Sequence, residues 1–150
     1  MKYSSFKEMF AKPFLFIAFC LIAFVSTANA GLDYYEIFVG KKLVMKRAVN
    51  QPLSLESLPV SQANINEQLV IHYYQCNAPN KLGTKRSVTL KDGNGKIIKE
   101  WKFADTNGSI NGMVIPVKEL LQLEKIADGG SLQIYYASQQ LPAGKMLTSI

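Results

Sequence analysis

One histidine and two cysteines restrict the chemistry open to this 150-residue chain. His72 is the only imidazole, which excludes sites that need two, among them most zinc hydrolases and the H-E-x-x-H helix. His72 and Cys76 share one face of a strand-like run. Four strand residues separate their backbones by about 13 Å, whereas a Cys–His dyad needs roughly 3 Å. Within a straight strand they cannot form one. No G-x-S-x-G elbow presents a serine nucleophile, and no Gly-rich P-loop cradles a phosphate. The scattered acids leave a glycosidase-type carboxylate pair open, although a small sandwich offers such a pair little groove.

Two turn-like runs carry calcium-type oxygens, Asp92-Gly93-Asn94-Gly95 and Asp105-Thr106-Asn107-Gly108. Neither completes the twelve-residue loop with a closing Glu. Asp105 and Asn107 are therefore the candidate metal ligands, against the plainer reading of turn chemistry. Asn107-Gly108-Ser109 also matches a glycosylation sequon.

The tyrosines are more informative. Tyr34-Tyr35, Tyr73-Tyr74 and Tyr135-Tyr136 are adjacent pairs in strand-like runs. Side chains alternate across a strand, so one ring of each pair must face outward. Tyr34 or Tyr35, with Tyr74 and Tyr135, on neighbouring strands of one sheet would make an aromatic face; Tyr34, Tyr74 and Tyr135 are the candidate contact residues, with Lys46 and Arg47 beside them. Such a face suits an envelope glycan or another envelope protein; the plain alternative is that these rings merely cover sheet surface. The formal charge of +6 is modest and does not call for nucleic acid. No residue pattern calls for a cofactor.

The compartment follows from the N-terminus. Lys2, Lys7 and Lys12 precede an apolar run, Phe14 to Val25, and Ala28-Asn29-Ala30 fits an A-x-A cleavage site. The run is shorter than the roughly 20 residues that span a bilayer. Residues 1–30 thus read as a signal peptide cleaved after Ala30, placing residues 31–150 in the periplasm or outside the cell with no integral membrane segment. Cys20 leaves with the leader, so Cys76 remains as a lone thiol. It is expected as a small hydrophobe, with a reactive thiol or an interchain disulfide as the sharper reading.

The elements that must position these residues are short strands. Asp33–Val39 and Leu43–Val49 flank Gly40-Lys41-Lys42 as a hairpin, and Pro52–Leu58 holds a short strand with Leu53 and Leu55 alternating. Ser61–Glu67 is loop-like. In Gln68–Cys76, Leu69, Ile71 and Tyr73 face one way and Val70, His72, Tyr74 and Cys76 the other. Ser87–Lys91 and Lys96–Phe103 flank Asp92-Gly93-Asn94-Gly95 as the clearest hairpin. There Val88 and Leu90 would share a core face with Ile97, Trp101 and Phe103; Lys99 falls on the same face, which requires a sheet edge. Met113, Ile115 and Val117 alternate, with Pro116 marking an end or an edge. Val117–Ala127 is the one helix candidate, its stripe made by Leu120, Leu121, Leu123 and Ile126, and Gly129-Gly130 stops it. Ser131–Ser138 is a strand, Leu141–Gly144 a turn and Lys145–Ile150 a last strand. The pattern predicts an all-β, immunoglobulin-like or C2-like antiparallel β-sandwich with one short helix, in one domain over residues 31–150.

Leu69–Cys76, Ser87–Asp105 and Ile115–Leu120 together resemble small secreted proteins of Bacteroidetes that carry no assigned function. The resemblance implies a Gram-negative host and no mechanism. A second likeness, around Lys91–Lys102, is to the immunoglobulin-like sorting domains of exported proteins in those bacteria. The closing Leu-Thr-Ser-Ile departs from their basic ending, and their Gly-x-Tyr element is missing. The expected function is an exported, non-catalytic binding or structural module. The rivals are a small extracytoplasmic enzyme and a calcium-binding module.

Overall fold

Alternation of apolar and polar residues decides the architecture. In the computed structural model, which describes residues 31–53, 57–127 and 130–150, most of the period-2 runs form strands. In chain order these are β1 (Tyr34–Val39), β2 (Lys42–Ala48), β3 (Gln68–Tyr74), β4 (Leu82–Gly83), β5 (Arg86–Lys91), β6 (Ile97–Phe103), β7 (Thr106–Asn107), β8 (Met113–Pro116), β9 (Gln133–Ser138) and β10 (Leu141–Ser149). Among the described residues one α-helix, α1 (Val117–Ile126), is present, directly after β8. The expected leader, residues 1–30, lies outside the described residues. Among those described, no helix is long and apolar enough to cross a membrane.

The strands make an all-β antiparallel sandwich. The first sheet runs β2-β1-β3-β8 and the second β10-β9-β5-β6. β4 and β7 form a two-residue pair that ties the loop after β3 to the loop after β6. Between the sheets lie Tyr35, Ile37, Val39, Leu69, Ile71, Tyr73, Met113 and Ile115 from the first sheet. Val88, Leu90, Ile134, Tyr136 and Leu147 face them from the second. Val117, Leu120 and Leu121 of α1 join this core. Each fully buried aliphatic or aromatic side chain contributes roughly 1.5–3 kcal/mol.

The predicted faces of β3 are those observed, with Leu69, Ile71 and Tyr73 buried and Val70, His72 and Tyr74 facing out. Pro116 ends β8, an edge strand paired only with β3. Lys99 does share a face with Val88 and Leu90, and β6 is indeed an edge. Its ammonium escapes the core by reaching Glu119 of α1 at 3.4 Å. The same carboxylate accepts a hydrogen bond from Trp101 Nε1 at 3.3 Å.

Four expectations are corrected. Pro52, Leu53, Ser57 and Leu58 are not in a strand, and Leu55 lies outside the described residues; Leu58 instead donates its N–H to Ser149 O and enters the core singly. Ile97 is 60% exposed, because a register shift opposite Leu90 and Lys91 turns it outward while Ile98 packs against the core. Ile126 is 73% exposed at the last turn of α1. Leu141–Gly144 is not a turn. It is the irregular start of β10, carrying a register shift between Leu141 and Lys145 and a positive φ at Gly144; the chain turns at Gln139-Gln140.

Candidate functional site

All three tyrosine pairs split as alternation requires. Tyr35, Tyr73 and Tyr136 are buried, while Tyr34, Tyr74 and Tyr135 face outward, half-buried. The buried three build an interior polar cluster. Tyr35 donates to Leu147 O at 2.7 Å. Tyr73 stacks on Tyr136 across the sandwich at 4.0 Å. Gln75 Nε2 donates to Tyr136 Oη at 3.1 Å and Ser138 Oγ at 2.6 Å. Burial pushes all three phenols above their ordinary pKa.

The outward rings do not make the single face expected. Tyr34 (β1) and Tyr74 (β3) are register partners in the first sheet and stack at 4.3 Å. Tyr135 belongs to β9 in the second sheet, where Lys91 sits over its ring at 4.3 Å. Lys46 joins the first pair, with its ammonium 5.1 Å from the centre of the Tyr34 ring. Arg47 does not. It is the register partner of inward-facing Tyr35 and donates to the Pro52 carbonyl. One-residue alternation separates Lys46 from Arg47, so sequence proximity could not keep both on one surface.

Three side chains complete the outer face of the first sheet that sequence reasoning did not gather there. Glu36 lies between Tyr34 and Phe38 on β1, pairing Lys46 at 2.7 Å and accepting from Tyr74 Oη at 3.1 Å. The hydrogen bond from Lys46 holds the Glu36 carboxyl below its ordinary pKa, and the same contact raises that of Lys46. Desolvation, with the bond to Glu36 next, pushes Tyr74 up to about 12. His72 lies between Phe38, which meets it edge-on at 5.7 Å, and Tyr74 at 6.3 Å. Its Nδ1 contacts the Gly108 carbonyl. A carbonyl only accepts, so Nδ1 donates in this contact.

Glycines make room for this arrangement. A Cβ on Gly112 would lie 2.8 Å from His72 Nε2 and 2.4 Å from Val70 Cγ1. On Gly108 it would lie 2.2 Å from Tyr73 O. The segment after β7 therefore runs directly along β3, and nothing in a single sequence signals that need.

Farther down the same face runs a row of apolar residues in register. Leu43 (β2) pairs Phe38 (β1), Phe38 pairs Val70 (β3), and Val70 pairs Val114 (β8). Leu43 is 45% and Val114 42% exposed. The clue was present in Phe38, an aromatic at an outward position of β1, and in Val70 on the His72 face.

At the other end of the face lies a cavity of about 160 Å³, lined by Tyr34, Tyr74, Cys76, Asn80, Lys81 and Ser109 among others. This is below the roughly 300–1,000 Å³ of pockets that enclose drug-sized ligands. Cys76 is a half-buried free thiol there, and its N–H donates to Asp33 Oδ1 at 2.9 Å. The candidate metal ligands are occupied by local structure. Asp105 Oδ1 accepts from Lys85 N–H at 2.7 Å, and Asn107 Oδ1 accepts from Ser109 N–H, Ser109 Oγ and Ile110 N–H. Among the described residues, no three His, Cys, Asp or Glu side chains gather where they could hold an ion.

Fold and face together define a small antiparallel sandwich with one aromatic and apolar outer sheet surface. Comparison of the chain with protein families, curated proteins and solved structures found no match.

Proposed function

We propose that this protein is an exported, non-catalytic binding module whose contact surface is the outer face of the first sheet. The observation that carries the reading is the in-register row Leu43–Phe38–Val70–Val114, continuous with the His72–Tyr74–Tyr34 stack. Solvent-facing sheet positions ordinarily carry polar residues, and contiguous apolar surface marks an interaction site. The leader-like N-terminus supports an envelope or extracellular ligand, either a glycan or a protein.

Binding to the native state alone raises the melting temperature by mass action. A thermal-shift screen against envelope glycans and fractionated envelope proteins should therefore give a hit that Val114→Lys abolishes. Val114 is exposed, so this change leaves the core untouched. A hit that survives Val114→Lys and Leu43→Lys alike would remove the face from the account.

A further inference from the structure

Taking the outer face of the first sheet as the binding surface, we infer that its occupant is a protein segment presenting aliphatic side chains flanked by carboxylates. This rests on the reading above and narrows it from a ligand of either class to one.

The first argument concerns ring faces. A sugar stacks its C–H surface on an open aromatic face. Here both faces of Tyr34 are taken, one by Lys46 and the other by Tyr74. Tyr74 lies between Tyr34 and His72, and Phe38 meets His72 edge-on. The rings support one another and offer edges. The second argument concerns the row itself. Four strands at about 4.8 Å spacing carry it some 14 Å across the sheet. Its side chains hold no hydrogen-bonding atom for a hydroxyl-rich ligand, whereas aliphatic side chains of a polypeptide match it directly.

Charge gives the third argument. Lys41 is exposed in the β1–β2 turn and Lys46 on the β2 side of the face, and Lys118 is exposed just beyond β8. Glu36 and Lys46 neutralise each other, and Glu67 and Asp33 keep their charge while accepting from Asn64 Nδ2 and the Cys76 N–H. Of these ammonium groups, Lys41 and Lys118 are in no ion pair among the described residues. The rim thus offers ammonium groups to the outside. A second copy of this chain would set lysines against lysines across the contact, so like charge opposes a face-to-face homodimer. Carboxylates on the partner would satisfy the same rim.

The test is selection of a phage-displayed random peptide library on the purified protein, with a glycan array in parallel. Enriched peptides should place Asp or Glu beside Ile, Leu, Val or Phe. A synthetic peptide of the enriched sequence should bind at least tenfold more weakly to Val114→Lys and to Leu43→Lys. It should also weaken with added salt and on Lys46→Glu. Unchanged melting temperatures of the variants exclude misfolding. Enriched peptides without acids, or peptides indifferent to the two row variants, would overturn the inference. Glycans that bind and are lost in those variants would overturn it too, while leaving the face as a binding surface. If neither ligand class responds to the row variants, the inference and the proposed function fall together.

Discussion

The two sheets share one core but turn different chemistry to the outside. The second sheet shows Lys91 from β5, Gln133 and Tyr135 from β9, Ile97, Glu100 and Lys102 from β6 and Met146 from β10, with Ser87 and Thr89 buried beneath their neighbours on the same side. Its one outward aromatic is covered by Lys91. The first sheet shows Leu43, Phe38, Val70 and Val114, then His72, then the Tyr34–Tyr74 stack. Both inner faces are apolar because both must pack. The outer face of the first sheet departs from the hydrophobic-in, polar-out pattern in a row across all four strands, whereas the outward apolar residues of the second sheet, Ile97 and Met146, lie singly on its two edge strands. A surface that folding does not require to be apolar is where function is to be sought.

Neighbouring residues on β8 test that contrast most sharply. Ile115 is fully buried and Val114 faces out. Ile115→Ala should cost about 2–5 kcal/mol, the usual range for emptying a core site. Val114→Ala should lie within about 0.5 kcal/mol of the parent. Urea unfolding of both variants measures the difference. Equal costs would mean that the outer row is a second core layer and no docking surface.

A smaller effect separates the backbones behind the two faces. Gly108 is closed by β3, since an added Cβ would meet Tyr73 O at 2.2 Å. Gly93, in the β5–β6 turn, has nothing within 4 Å of that position. Gly108→Ala should destabilise by about 1–3 kcal/mol through overpacking and displace the His72 contact. Gly93→Ala should be close to neutral. Thermal melts of the two variants suffice, and a neutral Gly108→Ala would show that the segment after β7 yields freely.

These residues also mark what could be read in advance. Strand faces were legible wherever period 2 held without interruption, as in β3, where every side was assigned correctly. The sandwich followed from strand spacing and the absence of helices between strands. Two failures came where one residue is inserted or omitted. The register shift opposite Leu90 and Lys91 exposes Ile97, and the one before Lys145 turns an expected loop into strand. The site failed for a different reason. Tyr34, Tyr74 and Tyr135 were each rightly assigned outward, but outward from which sheet depends on strand order, which local pattern does not encode. Tyr34 and Tyr74 meet because β1 pairs β3, although β2 and the 3₁₀ turn Gln62–Asn64 lie between them in the chain. The Gly108 and Gly112 approaches belong to the same class of long-range fact.

A double-mutant cycle isolates the stack itself. The Tyr34–Tyr74 coupling should be about 0.5–1.5 kcal/mol beyond the area each ring buries. Tyr34 with Tyr135, on opposite sheets, should be additive. A nonzero coupling in the second cycle would contradict the separation of the two faces.

The smallest effect concerns charge on the first face. Lys46 depresses the pKa of Glu36, so the folded state holds the carboxylate more readily than the unfolded chain, whose value is about 4.3. Above that value both states are ionised and the contribution is fully present. As pH falls through the unfolded and then the folded value, it is lost. Lys46 mirrors this at the alkaline end. Its folded pKa is raised, so its contribution is present below the ordinary lysine value and lost as pH rises through the folded one. Glu36→Gln should therefore flatten the acid limb of the stability–pH curve, with little change at neutrality because Lys46 is exposed and screened. Tyr74 would keep an amide oxygen as acceptor. Urea midpoints across the acid range decide it. An unchanged acid limb would mean that the Glu36–Lys46 pair does not persist in solution. Lys46 would then be free to leave the Tyr34 ring, and the occupied-face argument against a stacked sugar would lose its strongest member.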